Sequence, residues 1–262
     1  MNMEEKTGLA IKKFNDYIDS FTGLSEEQLT NFEIKKNHSL RVADLALLLA
    51  KNMELNETEA QLAFFIGLFH DIGRFRQLKE YNTFNDAKSV DHAELGIDVL
   101  QQGDFFNDLD DGQEELILLA IGQHNKLGLT KDMTDKERLF AKLIRDADKL
   151  DILRVITDYY SNPKATPNHT LTWEMPKGVS VSKDVLKQIL KGALVAKESI
   201  TNELDIKVMQ LSWVYDLNYR PSFELMMEKR YLEKIYNSMP KNDTVIEIYR
   251  KVKVFVENKF IA

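Results

Sequence analysis

The stretch FFIGLFHDIGRF, residues 64–75, decides how this chain is read. Leu62, Phe65, Ile66 and Phe69 fall at i, i+3, i+4 and i+7, the stripe of a buried helix face. The apolar run ends in His70 and Asp71, polar side chains that belong in an interior only where other groups pair with them. Neighbouring residues point about 100° apart around a helix, so this pair reaches a common partner only over the flank between them. Gly73 stands where a left-handed cap would end the helix.

Helical spacing continues on both sides. Upstream, Asn56 and Glu59 form the cap that starts this helix. Leu40, Ala43, Leu47 and Ala50 predict a long helix over 33–53, and Ser25 with Gln28 predicts a capping box for a short helix before it. A first helix is expected over 7–21. Downstream, 74–90 reads as a polar loop or short turns, followed by helices over 91–102, 113–124 and 134–161, the last opened by Thr134 and Glu137. All five prolines follow residue 160, three of them in NPKATPNHTLTWEMP, residues 162–176. That segment reads as a loop, with LTW and VSV as a candidate short hairpin. Helices are expected again over 182–198, 201–215, 222–238 and 243–259. The class is therefore all-α, with one bundle over 1–162 and a proline-rich loop plus C-terminal helical extension over 163–262.

Bulk properties narrow the function. The chain has 262 residues, enough for a sizeable core, and no run approaches the roughly 18 apolar residues of a membrane span. The start, MNMEEKTGLAIKKF, is amphipathic, with acidic residues ahead of its lysines and no apolar block, unlike a secretory signal, and a cytoplasmic address is expected. A formal charge of −7 argues against broad nucleic-acid binding, which needs many cations against phosphates, but leaves room for one small phosphorylated ligand. With no cysteine, disulfides and thiolate metal sites are excluded.

Five histidines are present, and four of them, His38, His70, His92 and His124, are expected near helix ends in the first 150 residues. Asp71, Asp91 and the cluster RDADKLD, with Asp146, Asp148 and Asp151, accompany them. Imidazole and carboxylate are the natural ligands of Zn²⁺, Mn²⁺, Fe or Ni²⁺ when thiolates are absent. Bundles build such sites from inward-facing side chains on several helices. The competing reading makes each histidine an ordinary core or surface residue and Asp71 a helix-end carboxylate bonded to an arginine. On a helical wheel Asp151 lies in the apolar face of its helix with Asp146 and Asp148 on either flank, so the wheel does not choose among the three. Asp91 reads as the cap before His92 rather than a general acid, and His169 as loop surface.

Taken in order, His38, the pair in FHDIGRF and the RDADKLD cluster resemble the HD-domain superfamily of metal-dependent phosphohydrolases over about residues 30–155. The segment DHAELGIDVL around His92 and AIGQHN around His124 resemble the subset that holds two metals. The resemblance implies a helical bundle with His38, His70, Asp71, His92, His124 and a distal aspartate as metal ligands, Asp71 bridging. The family's D-x-D-x-x-D pattern favours the middle acid, Asp148, with Asp146 and Asp151 as orienting groups. No GYP-like motif follows His124, so nothing points specifically to cyclic dinucleotides.

The implied chemistry is hydrolysis of a nucleotide or other small phosphoester by water activated on one or two divalent ions, of Mn, Fe, Ni, Mg or Zn. Asp71 and Arg74 are the expected catalytic residues, and Arg74, Lys126 and Lys149 the expected phosphate cations. Phe64, Phe65, Phe69, Trp213, Met226 and Met227 read as core, and Phe75 or Tyr81 as a candidate base-stacking position. Two other functions fit the same ligand set: a non-haem di-iron oxygenase, and a non-catalytic nucleotide-binding regulatory module. Residues 163–262 carry no recognisable chemistry and are free to pack on the bundle, cover a cleft or form a homo-oligomer contact.

Overall fold

The computed structural model describes residues 3–106, 109–162, 173 and 175–261. It is all-α, and among the described residues there is no strand. Leu171 and Thr172 of the candidate hairpin, and His169, lie outside the described residues. Among the described residues no helix is long and apolar enough to cross a membrane. The chain divides into two compact units, Met1–Asp151 and Ile152–Ala262.

The first unit contains α1 (Met3–Asp19), α2 (Glu26–Asn52), α3 (Glu57–Phe69), α4 (Gly73–Tyr81), α5 (His92–Gln102), α6 (Asp111–Gln123) and the greater part of α7 (Asp135–Ser161). Capping boxes at Ser25–Gln28 and Asn56–Glu59 open α2 and α3, and Asp91 caps α5. The Ser25 box starts α2 itself, so no separate short helix precedes it, and His38 sits in the middle of that helix rather than near an end. Its core is aromatic. Phe14 and Phe32 lie edge-on to Phe75, and Phe14 also meets Phe69. Phe75 is 1% exposed, which removes it as a stacking site for a ligand; Tyr81 lies at the surface.

Residues 74–90 are not simply a loop, because α4 covers Gly73–Tyr81. Its two buried apolar side chains, Phe75 and Leu78, are spaced i, i+3 within an otherwise polar segment, too sparse a stripe to announce a helix. Gly73 does not adopt a left-handed conformation and does not end α3. Its role is close approach: a Cβ there would meet the His92 carbonyl oxygen at 2.2 Å and the Gly96 nitrogen at 2.5 Å. Gly67 plays the same part between α3 and α2, where a Cβ would stand 2.7 Å from Ala43 Cα. These two contacts seat the helices on either side of His70–Asp71 against α2, which carries His38, and α5, which carries His92.

The second unit holds α8 (Lys183–Leu190), α9 (Glu203–Ser212), α10 (Arg220–Glu228), α11 (Tyr231–Asn237) and α12 (Asp243–Ile261). The helix expected over 222–238 is broken in two by Arg230, whose φ of 57° closes α10 and reopens the chain as α11. The helix expected over 182–198 stops at Leu190. Fully buried Asp205 accepts bonds from Ser182, Thr201 and Asn202 and so ties the segments flanking α8 to the start of α9. Met226 is core, while Met227 and Trp213 are half-buried.

Candidate metal centre

Four imidazoles and two carboxylates from five helical segments meet inside the first unit. His38 comes from α2, His70 and Asp71 from the turn between α3 and α4, His92 from the first residue of α5, His124 from the C-cap of α6, and Asp148 from α7. The turn at 70–72 switches to i→i−3 bonding, with Ile72 N–H donating to the Phe69 carbonyl and Arg74 N–H to that of Asp71. His70 and Asp71 therefore face one point from a turn, not from the flank of a continuous helix.

The Nε2 atoms converge. His38 Nε2 lies 3.1 Å from Asp148 Oδ1 and 3.7 Å from Asp71 Oδ2. His70 Nε2 lies 3.7 Å from Asp71 Oδ2 and 3.8 Å from Asp148 Oδ1. On the other oxygen, Asp71 Oδ1 is 3.3 Å from His92 Nε2 and 3.9 Å from His124 Nε2. Asp71 thus presents one oxygen to each of two histidine pairs, and both groups, His38–His70–Asp71 and Asp71–His92–His124, have the spacing to hold a metal ion. His38, His70, Asp71, His92 and His124 are all buried.

Each imidazole is fixed from behind through Nδ1. His38 Nδ1–H donates to Asp151 Oδ2 at 2.7 Å, and His92 Nδ1–H to Asp86 Oδ2 at 2.7 Å. His70 donates to the Gly67 carbonyl at 2.8 Å and His124 to the Ile121 carbonyl at 2.6 Å. These bonds fix the tautomer and leave every Nε2 as a lone pair aimed inward, the arrangement that metal-ligating histidines adopt. Two details fit a cation in particular. His70 Nε2 is buried without a hydrogen-bond partner, and His92 Nε2 faces His124 Nε2 at 3.0 Å, acceptor against acceptor.

The electrostatics agree. Burial opposes the Asp71 carboxylate, but Lys35, His70, Arg74 and His92 outweigh it and hold it well below the usual carboxylate range. Burial and the neighbouring His92 and His70 push His124 down to about 3, and burial lowers His70 as well. These imidazoles are neutral at pH 7, as ligands must be. His38 goes the other way: burial and Lys35 depress it, yet the Asp148 and Asp151 carboxylates leave it raised.

Of the three distal aspartates, Asp148 reaches the Nε2 side. Asp151 stands behind His38 and takes Arg41 in a two-pronged contact, Nε at 2.7 Å and Nη2 at 2.9 Å. Asp146 is fully buried. Asp91 is the α5 cap and receives Asn125 and Lys126; Lys126 also pairs with Glu94. Lys149 is half-buried beside Asp148. Arg74 is turned to structural contacts: its Nη1 donates to Gln77, the Phe84 carbonyl and Asp86, and its Nε lies 3.4 Å from Asp71 Oδ1.

Three polar residues of the centre escaped the sequence reading. Lys35 Nζ bonds Asp71 Oδ2 at 2.7 Å and lies 5.7 Å from the Phe84 ring centroid. Its signal was present, since Lys35 and His38 are three apart on one helix face. Arg41 carries the same signal on the other side of His38. Asp86 had none, because its loop is brought to His92 by Arg74 and Gln77.

Residues 36–153 match the family model described as HD domain. No curated protein and no solved structure matches the chain.

Proposed function

Because the chain belongs, through residues 36–153, to the HD-domain superfamily of metal-dependent phosphohydrolases, we propose that it cleaves a small phosphoester, a nucleotide foremost, at a centre of one or two divalent ions. HD-domain proteins bind divalent metals, and two overlapping His/Asp groups here could hold them. The ligands in this reading are His38, His70, Asp71 and Asp148 for one ion and Asp71, His92 and His124 for the other. The observation that carries it is the set of inward Nε2 lone pairs, each locked by an Nδ1–H bond, around the two oxygens of Asp71.

When bound, such ions supply a water acidic enough to act as nucleophile at neutral pH and polarise a phosphoryl oxygen. The chain's own groups do the rest. Lys35 holds Asp71 in place and, with its side chain 23% exposed, has further N–H donors to offer an entering phosphate. Arg74 fixes Asp71 from the opposite oxygen and anchors the loop that carries Phe84 and Asp86. Asp151 and Asp86 hold His38 and His92 in their ligating tautomers. Lys126 and Lys149 are secondary phosphate cations in this scheme, and removing either charge raises KM without lowering kcat.

The test is elemental analysis of purified protein followed by a nucleotide and phosphoester panel with Mn²⁺, Fe²⁺, Ni²⁺, Mg²⁺ and Zn²⁺. Bound metal and phosphate release that disappears in His70→Ala and Asp71→Ala, with helical circular dichroism retained, support the proposal. Consumption of O₂ by iron-loaded protein without phosphate release, or metal binding without turnover on any ester, overturns it.

A further inference from the structure

The two halves of the centre are supported in different ways. Behind His38, Asp151 is fully buried, sits within α7 and is clamped by Arg41. Behind His92, the corresponding carboxylate is Asp86, whose side chain is 34% exposed and which belongs to a short 3₁₀ turn, Asp86–Lys88, in the loop between α4 and α5. That loop is held to α4 by few bonds. Arg74 Nη1 reaches the Phe84 carbonyl at 2.6 Å and Asp86 Oδ1 at 2.7 Å. The Gln77 amide, itself fully buried, donates to Asp86 Oδ1, Ser89 Oγ and the Val90 carbonyl, each at 2.9 Å. Bonds on an exposed loop open at lower free energy than bonds inside a packed helix.

Resting on the metal-centre reading above, we infer that Asp86 is a positioning residue through which closure of the 82–91 loop sets metal affinity at the Asp71–His92–His124 half alone. With the loop seated, Asp86 holds the His92 ring through Nδ1 and keeps Nε2 aimed inward. With the loop lifted, His92 loses its orienting acceptor, while His38 and His70 keep theirs in Asp151 and the Gly67 carbonyl. The His38 half is therefore the tight, permanent site, and the His92 half the weaker one, filled when the loop is down.

The experiment is equilibrium Mn²⁺ binding to the full chain, by competition with a chromophoric indicator and by the electron paramagnetic resonance of free Mn²⁺. Wild type, Asp86→Asn, Asp86→Ala and Gln77→Leu are compared, with melting curves to confirm folding. Wild type is expected to bind in two resolvable steps. In Asp86→Ala and Gln77→Leu the weaker step loses about 10–100-fold in affinity, the usual cost of losing an outer partner of a ligand, and the tighter step moves by less than about threefold. Asp86→Asn, which keeps a neutral acceptor of the same shape, falls between and guards against misfolding of the alanine variant. Equal weakening of both steps, no weakening of either, or two steps of equal affinity in wild type overturns the inference and leaves the metal-centre reading standing. Absence of divalent-ion binding in wild type overturns both.

Discussion

At the residue scale, two glycines, Gly67 and Gly73, set the geometry of the site by letting backbones meet. Gly67 lets α3 lie against the backbone of α2 at Ala43, and its carbonyl holds His70. A methyl group there meets backbone atoms, which cannot rotate away. Gly67→Ala is therefore expected to destabilise the fold by about 1–3 kcal/mol, read from urea unfolding midpoints at constant slope. A melting curve identical to wild type would refute the close-approach argument. Lys35 is the residue most exposed to a kinetic test. In the proposed reaction Lys35→Met removes a cation beside the developing phosphoryl charge while leaving every Nδ1 bond intact, so kcat at saturating metal is expected to drop by about 10²-fold. His38, His70, Asp71, His92, His124 and Asp148 could be named from the sequence as a set only through the family resemblance; residue type alone left each histidine an ordinary reading and did not choose among the distal aspartates. Lys35 and Arg41 were written into the i−3 and i+3 positions around His38, but charged side chains on a helix flank look the same whether they serve a buried acid or face water.

At the element scale, α3, α5, α6 and α7 were legible because their caps and apolar spacing are local signals. The helix α4 was not, since its stability comes from Phe75 packing on Phe14 and Phe32, partners more than forty residues away. The break at Arg230 was also invisible, because a left-handed arginine has no sequence signature comparable to glycine. The orienting role of α7 gives a prediction of its own. Asp151→Asn keeps the shape but removes the charge that Arg41 and His38 share, and is expected to cost about 10–100-fold in affinity at the tighter metal step. Unchanged affinity there would show that His38 does not depend on α7 for its orientation.

At the scale of the whole molecule, stability and metal should be linked. Ions that bind only the folded chain raise its stability by about 2.7 kcal/mol at a hundredfold excess over Kd, so chelation lowers the melting temperature and Mn²⁺ restores it. The metal-free protein should also be acid-sensitive. The His124 imidazole takes its proton near 6.5 when unfolded but only at about 3 when folded, so the unfolded chain binds more protons in that window. Stability from this group is complete above 6.5 and is lost as pH falls toward 3; His70 acts in the same direction and His38 in the opposite one. A metal-free melting temperature that rises on acidification from pH 7 to 5 would contradict the assignment of His124. The second unit, Ile152–Ala262, has its own helices and its own buried acid in Asp205, whose bonds to Ser182, Thr201 and Asn202 no sequence pattern announced because they join separate segments.

The 3.0 Å approach of His92 Nε2 to His124 Nε2 carries one more consequence. Two ring nitrogens at that separation, each with its other nitrogen already donating, stand acceptor against acceptor. A cation bound there relieves the repulsion and draws the first turn of α5 onto the last turn of α6. Chelation should therefore loosen those two turns in particular, and amide hydrogen exchange at both should quicken in the metal-free protein while the start of α3 is unaffected.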